Sequence, residues 1–118
     1  MKADVAIGQL EQALNRLAWG ADQQLEHLGR WGVGPDELAL EFDDAFRVVP
    51  GLVSQGLLPD SVTALLQPVD DALAAMTDAS GNEWTNDAMA QSPTWSLLRR
   101  TAQEALDGLR AATDGLDP

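Results

Sequence analysis

The sequence predicts an all-α protein, an up-and-down bundle of four main helices with one or two short extra helices. Three observations support this prediction. Apolar residues recur at alternating spacings of three and four along four stretches, which is the period of one helix face. Ala and Leu dominate the apolar residues, Tyr and Cys are absent, and β-branched residues are few. The predicted loops are mostly shorter than about ten residues, so neighbouring helices are expected to run antiparallel.

Residues 4–29 are predicted to form one long amphipathic helix. Its apolar face repeats through three heptads and comprises Ile7, Leu10, Leu14, Leu17, Ala21, Gln24 and Leu28. Gly20 weakens this helix by roughly 1 kcal/mol relative to alanine. Three glycines between positions 29 and 34 end it, and Trp31 is expected to fold back and anchor the loop.

The second helix is predicted to begin at Pro35 and to run to about residue 49. Proline suits the first helical position, and the acids of the first turn complement the positive end of the helix dipole. Pro50-Gly51 should kink or break the helix, and a short turn should follow that ends at Gly56. The apolar face comprises Leu38, Phe42, Ala45, Val49 and Leu52.

The third helix is predicted to begin at Pro59-Asp60 and to bend at Pro68, because an interior proline removes a backbone donor. A loop of turn-forming residues spans 77–82. A short helix from Trp84 to about residue 91 should follow, and Trp19 should either pack beneath this segment or lie exposed. The apolar face of the third helix comprises Val62, Leu66, Val69, Leu73 and Met76.

The last helix is predicted to begin with a capping Ser92 and with Pro93 at its first position. Its apolar face comprises Trp95, Leu98, Ala102, Ala105, Leu109 and Ala112. At this length, residues 1–118 are expected to form a single helical domain, with residues 1–3 and 113–118 frayed.

Negative charge is concentrated in the middle of the chain. The net charge is −12, and residues 36–87 contribute eleven acids and one base, Arg47. Such a concentration of like charge opposes folding and therefore serves either solubility or a positively charged partner. It argues against direct binding of nucleic acid, whose phosphates require basic residues.

The cellular setting is predicted to be the cytoplasm. The chain has no cysteine for a disulfide, and its first residues include an aspartate where a signal peptide needs an apolar run. No stretch approaches the roughly 20 apolar residues of a membrane span. We therefore expect no membrane association.

The residue types speak against catalysis, a metal or a cofactor. His27 is the one histidine, so a nucleophile–histidine system would depend on it alone, and it is expected to lie at the surface or at the core boundary. A carboxylate-bridged di-metal bundle requires two Glu-x-x-His helices, which one histidine cannot supply. The chain is not expected to be an enzyme.

Leu40 is the candidate anchor of a partner surface. It lies some 200° around the second helix from the core residue Leu38, and its neighbours three and four positions away are all acids. A leucine ringed by four acids resembles an interface anchor with a charged rim. The alternative is that a neighbouring helix covers Leu40. The predicted partner-binding residues are Asp36, Glu37, Leu40, Glu41, Asp43, Asp44, Asp70 and Asp71.

The order of these segments resembles small acidic helical immunity proteins of bacterial toxin systems. The resemblance spans about residues 36–109 and is carried by the acidic run from Asp36 to Asp44, then Val69-Asp70 with Leu73 and Met76, then Trp84, Trp95 and Leu98-Arg99. It implies a cytoplasmic protein that neutralises a toxin by occluding a basic active site.

The predicted function is therefore a protein-binding module that occludes a basic partner, with a toxin as the partner that the resemblance implies. The alternative is a self-associating structural bundle of no separate activity, in which the acids only confer solubility.

Overall fold

The computed structural model describes residues 2–78 and 82–114. Within these ranges the chain forms seven helices. No strand occurs in these ranges, so the all-α prediction is confirmed. The described ranges exclude residue 1, residues 79–81 of the predicted loop and residues 115–118 of the predicted frayed end. The helices are α1 Lys2–Ala18, α2 Ala21–Trp31, α3 Asp36–Arg47, α4 Val49–Ser54, α5 Ser61–Asp78, α6 Asn86–Gln91 and α7 Pro93–Thr113.

The four helices α1, α3, α5 and α7 form a bundle in which each packs against the next and α7 closes the ring against α1. The seam between α3 and α5 is the loosest of the four. Arg110, near the end of α7, pairs with Glu11 of α1 at 3.2 Å, whereas Arg99, near the start of α7, reaches Gln24 beyond the end of α1. These two contacts show that α1 and α7 run antiparallel.

One hydrophobic core lies between the helices, and the predicted apolar faces supply it. All five predicted residues of the second helix face are buried, as are all five of the third. Phe42 and Trp95 are the largest fully buried side chains. The Trp95 indole donates a hydrogen bond to the Glu83 carbonyl at 2.7 Å and meets the Trp84 ring edge-on. The heptad-like spacing therefore identified most of the core. Three predicted members of the apolar faces are only half-buried: Ile7, Ala21 and Ala112.

The predicted helix over residues 4–29 is wrong, because the chain breaks at Trp19 and Gly20 into α1 and α2. Gly20 adopts an extended conformation, with φ −63° and ψ 159°. Carbonyl groups in the last turn of a helix need partners from outside it. Here the side-chain amide of Gln24 donates to the carbonyls of Arg16, at 3.0 Å, and Leu17, at 3.1 Å. The polar member of the predicted apolar face thus caps α1.

Gln24 also holds α7, through a buried polar network. Its side-chain oxygen accepts a hydrogen bond from Arg99 Nε at 3.0 Å, and Arg99 Nη2 donates to the carbonyl of Met89 in α6. Gln24 is completely buried, and it is the one buried polar or charged side chain in the described part of the chain. Because buried polar groups need partners, this network fixes α1, α2, α6 and α7 relative to one another.

Two prolines, Pro50 and Pro68, affect their helices in different ways. Pro50 lacks the N–H that an unbroken helix would offer to the Phe46 carbonyl, so α3 ends at Arg47 and α4 begins at Val49. By contrast, α5 continues through Pro68. Pro68 is exposed, and so is Ala64, whose carbonyl loses its partner, so both groups face solvent. An interior proline is tolerated there for this reason.

The predicted short helix and the last helix are confirmed, and both are capped. The Thr85 hydroxyl accepts from the Ala88 amide at 3.0 Å at the start of α6, and the Ser92 hydroxyl accepts from the Thr94 amide at 3.2 Å at the start of α7. Pro93 is the first residue of α7, as expected. Thr113 is helical, although fraying was predicted to begin there.

Gly32→Ala is expected to destabilise the protein by about 1–2 kcal/mol, because Gly32 ends α2 in the left-handed conformation with φ 64°. Gly29→Ala is the matched control. Gly29 lies inside α2 and a Cβ there would meet no atom within 4 Å, so this change should stabilise by up to about 1 kcal/mol. Urea unfolding of both variants measures the difference, and equal shifts of the same sign would refute the role of Gly32.

Candidate partner-binding surface

Helix α3 presents an exposed leucine surrounded by acids. Leu40 is 52% exposed, so the alternative that a neighbouring helix covers it is wrong. The four acids three and four positions away are all exposed. We call these side chains, Asp36, Glu37, Asp43 and Asp44, the acidic rim. Because Leu40 lies on the face opposite Phe42, the same helix contributes to the core and to the surface.

A cleft of about 490 Å³ lies beside Leu40, between α3 and the end of α2. It contains three of the six large apolar side chains that are exposed in the described part of the chain: Trp31, Val33 and Leu40. We call it the Trp31 cleft. Its other lining residues are Arg16, His27, Glu37, Leu38, Glu41 and Asp44. Exposed apolar residues gathered around one concave site are typical of interaction surfaces.

The expected position of Trp31 is wrong. The side chain is 69% exposed, more than any other large apolar side chain in the described ranges, and does not anchor the loop. Gly32 closes α2 directly after Trp31, and the amide of Val33 returns to the Leu28 carbonyl at 3.1 Å. This backbone cap stabilises the turn without the indole. Trp31 is consequently available to a partner.

Glu41 is bonded within the fold, unlike the acids of the rim. Its carboxylate pairs with Arg16 of α1, and the two side chains are only 27% and 24% exposed. Partial burial makes this pair stronger than one on the open surface. From the sequence we expected Glu41 to act freely in a partner surface, whereas its contact shows that it also joins α3 to α1.

Asp43 and Asp44 share Arg47, the one base in the acidic middle of the sequence. Its guanidinium lies 3.0 Å from Asp43 Oδ2 and 3.4 Å from Asp44 Oδ1. All three side chains are more than half exposed, and exposed ion pairs of this kind contribute little to stability. These two carboxylates can therefore accept new partners at small cost.

A second, smaller cleft of about 260 Å³ follows the loose seam between α3 and α5. Its lining residues are Ala39, Leu40, Asp43, Asp70, Leu73, Ala74 and Thr77, and we call it the Asp70 cleft. Asp70 and Asp71 both accept hydrogen bonds from Gln67, at 3.4 and 3.0 Å. Asp70 joins Asp43 and Leu40 in this cleft, whereas Asp71 is exposed and lines neither cleft.

Trp19 and His27 contact each other at the boundary of the core. Their rings meet edge-on with centroids 5.5 Å apart, and both side chains are half-buried. The position of His27 agrees with the prediction. The ring partner of Trp84 is Trp95 rather than Trp19. His27 lines the Trp31 cleft and thereby connects it to this aromatic pair.

Within residues 2–78 and 82–114, no three histidine, cysteine, aspartate or glutamate side chains converge as they would to hold a metal ion. Among the helices of the same ranges, none combines the length and hydrophobicity that crossing a bilayer requires. Two other hollows of the described surface, of about 350 and 300 Å³, are lined mainly by polar side chains and contain none of the six large exposed apolar residues. The candidate surface therefore consists of the two clefts on either side of Leu40 and the acidic rim.

Comparisons with protein families, with curated proteins and with solved structures find no match to this chain. The resemblance to immunity proteins accordingly stays a prediction, and the proposed function rests on the residues of the two clefts.

Proposed function

We propose that the chain is a protein-binding module whose α3 surface binds and occludes a basic protein. The proposal rests on the surroundings of Leu40. This side chain is half exposed, four exposed acids surround it, and the exposed Trp31 lines the same cleft. A surface of this kind combines an apolar anchor with a charged rim, which is the usual anatomy of a protein interface.

The apolar part of the surface supports a protein partner. Trp31, Val33 and Leu40 line one cleft, and tryptophan is among the residues that most often dominate binding energy when an interface covers it. Burying these three side chains would remove from water half of the large apolar side chains that the described chain exposes. A partner that buries these side chains would dissociate slowly from the complex.

The charged part of the surface supports a basic partner. The rim lies in the segment that holds −10 of the net charge of −12, and its carboxylates are exposed. Such a field attracts a positively charged protein and accelerates encounter, most strongly at low salt. We propose a cytoplasmic toxin as this protein, since the resemblance to immunity proteins implies one.

Self-association is the second candidate function, and Leu97 of α7 favours it. This side chain is 57% exposed and lines neither cleft beside Leu40. Two copies joined through the α3 surface would place one acidic rim against the other, and like charges in juxtaposition oppose association. A dimer would therefore use α7, and Leu97→Ala would dissociate it in sedimentation velocity while the α3 variants would not.

The rim and the anchor are expected to affect binding kinetics differently. Changing all four rim acids to amides should slow association and flatten its salt dependence, because rim charges mainly accelerate encounter. Leu40→Ala should accelerate dissociation, by an amount equivalent to about 1–2 kcal/mol for a central anchor. The measurement is surface plasmon resonance with the partner captured from the source cell by the wild-type protein.

The matched control for Leu40→Ala is Leu97→Ala, which removes a comparably exposed leucine from a helix outside the proposed surface. A captured protein that is acidic, or one that binds the Leu40→Ala and rim-amide variants as tightly as it binds the wild type, contradicts the proposal. The toxin assignment is tested by expressing the captured protein in a cell with and without this chain. Growth should depend on the wild-type chain and fail with Leu40→Ala.

A further inference from the structure

Leu40 forms a ridge between two clefts of different chemistry. It lines both the Trp31 cleft, on the α2 side of α3, and the Asp70 cleft, on the α5 side. The two clefts are therefore separated by the width of a single helix, about 10 Å with its side chains. One segment of a partner could place side chains from successive turns into both.

The Trp31 cleft suits an apolar side chain. Trp31, Val33 and Leu40 expose their apolar groups to it, and Arg16 is among its lining residues. Three carboxylates, from Glu37, Glu41 and Asp44, also line the cleft, and one of them already pairs with Arg16. The choice of an apolar occupant therefore depends on burial, because an apolar side chain would bury surface against Trp31, Val33 and Leu40.

The Asp70 cleft suits a long cationic side chain. Carboxylates from two helices, Asp43 and Asp70, belong to its lining, and no base is among the lining residues in the described ranges. Asp43 also pairs with Arg47 at 3.0 Å, but both side chains are more than half exposed, so a partner's cation can compete for this carboxylate at small cost. The neighbouring groups Ala39 and Ala74 are small and apolar. Arginine and lysine match this chemistry, because their aliphatic stems pack on apolar walls while the charged end meets carboxylates.

We propose that the partner contributes a single basic amphipathic segment that straddles Leu40, with an apolar side chain in the Trp31 cleft and an arginine or lysine between Asp43 and Asp70. This inference rests on the proposed function and specifies its partner. The occupant is chosen by charge complementarity. A second copy that docks symmetrically through the same surface is disfavoured, because residues 36–87 contain only one base, Arg47, and it is already shared by two rim acids.

The inference is tested with synthetic helical peptides added to the 15N-labelled full chain. The first peptide carries leucine on one face and arginine beside it, the second replaces arginine by the neutral isostere citrulline, and the third replaces leucine by serine. We expect the first peptide to shift the Trp31 indole signal and the amide signals of Ala39 and Ala74 together. The citrulline peptide should lose the shifts at Ala39 and Ala74, and the serine peptide should lose the shift at Trp31.

Asp70→Asn and Asp71→Asn are the matched variants. The two aspartates are adjacent and share Gln67 as a hydrogen-bond partner, but only Asp70 lines the cleft. Asp70→Asn should weaken binding of the arginine peptide about fivefold and leave the citrulline peptide unaffected. Asp71→Asn should change neither affinity by more than about twofold, since an exposed charge outside the contact contributes little.

The outcomes separate this inference from the function proposed above. Equal losses in Asp70→Asn and Asp71→Asn would show that the acids act as a diffuse field and would overturn the cation subsite. Absence of binding by all three peptides, or binding that shifts signals only on α1 and α7, would overturn the single-segment inference. In each case the occlusion proposal is decided independently by the captured protein and its response to Leu40→Ala.

Discussion

Phe42→Ala is expected to lower the free energy of unfolding by about 3–5 kcal/mol, the range for truncating a fully buried aromatic side chain. Phe42 has no exposed surface, and its ring stacks on Phe46 with centroids 5.4 Å apart. The truncation would leave a cavity beneath α3, the helix that carries the acidic rim. Urea unfolding followed by circular dichroism at a helix wavelength measures the loss.

The control for Phe42→Ala is Leu40→Ala, two residues away on the opposite face of α3. Leu40 is half exposed and alanine is the best helix former, so the expected change in unfolding free energy is below about 1 kcal/mol. Similar destabilisation in the two variants would place Leu40 in the core and remove the basis of the proposed surface. A stable Leu40→Ala variant that fails to bind the partner would separate the two roles of the helix.

Gln24→Met should destabilise the protein by about 3 kcal/mol, although methionine has nearly the same length and is more apolar. The change leaves the carbonyls of Arg16 and Leu17 without the side-chain donor, and it removes the acceptor from Arg99 Nε. Each buried group left without a partner costs about 1–3 kcal/mol, and more when it is charged. Thermal unfolding monitored by calorimetry would measure the effect.

Gln24→Glu distinguishes the two halves of this network. A carboxylate keeps the acceptor for Arg99, but it cannot donate to the two carbonyls of α1 and places negative charge against them at the negative end of the helix, so a loss at least as large as that of Gln24→Met is expected if the donor half dominates. The double variant Gln24→Met with Arg99→Met should recover part of the stability, because both partners are then apolar. If Gln24→Met is as stable as the wild type, the break between α1 and α2 is held by Gly20 alone.

The burial of Arg99 makes an unfavourable contribution to stability that does not change with pH in the working range of proteins. Burial lowers the pKa of its guanidinium, which means that folding disfavours the charged form. For a base with a lowered pKa, this unfavourable contribution is fully present below the folded pKa, decreases as the pH rises above it and vanishes above the unfolded pKa. A guanidinium stays protonated throughout the pH range in which proteins are folded, so this unfavourable contribution to stability is constant there. The hydrogen bonds to Gln24 and Met89 offset it.

The sequence predicted most of the core of α3, α4, α5 and α7 because each apolar face repeats at helical spacing, and the spacing of the α3 face continues through the short break into α4. The same reasoning failed between α1 and α2. Gln24 and Leu28 continue the spacing of Leu10, Leu14 and Leu17, so the period gives no sign that the chain turns at Gly20. The turn depends on a side-chain amide that meets carbonyls seven and eight residues earlier, and helical periodicity carries no information about such a contact.

The candidate surface was predicted in part. Leu40 could be placed because its acidic neighbours and its angle from Leu38 are properties of one helix. Trp31 could not, because its exposure depends on how α2 packs and on the left-handed conformation of Gly32. The three nearby glycines were the available signal, since they allow a backbone cap that needs no aromatic anchor. Glu41 was assigned to the surface for a similar reason: its partner Arg16 comes from another helix.

The break at Gly20 changes what a partner can recognise. An unbroken helix from residue 4 to residue 31 would be about 42 Å long, at a rise of 1.5 Å per residue. The longest dimension of the whole molecule is 42 Å, so such a rod would span it from end to end. Because the chain turns at Gly20, Arg16 of α1 and Trp31 at the end of α2 instead line one cleft. The epitope is therefore conformational: a linear peptide containing both residues would not reproduce it, and an unfolded chain would offer a partner neither the cleft nor its rim.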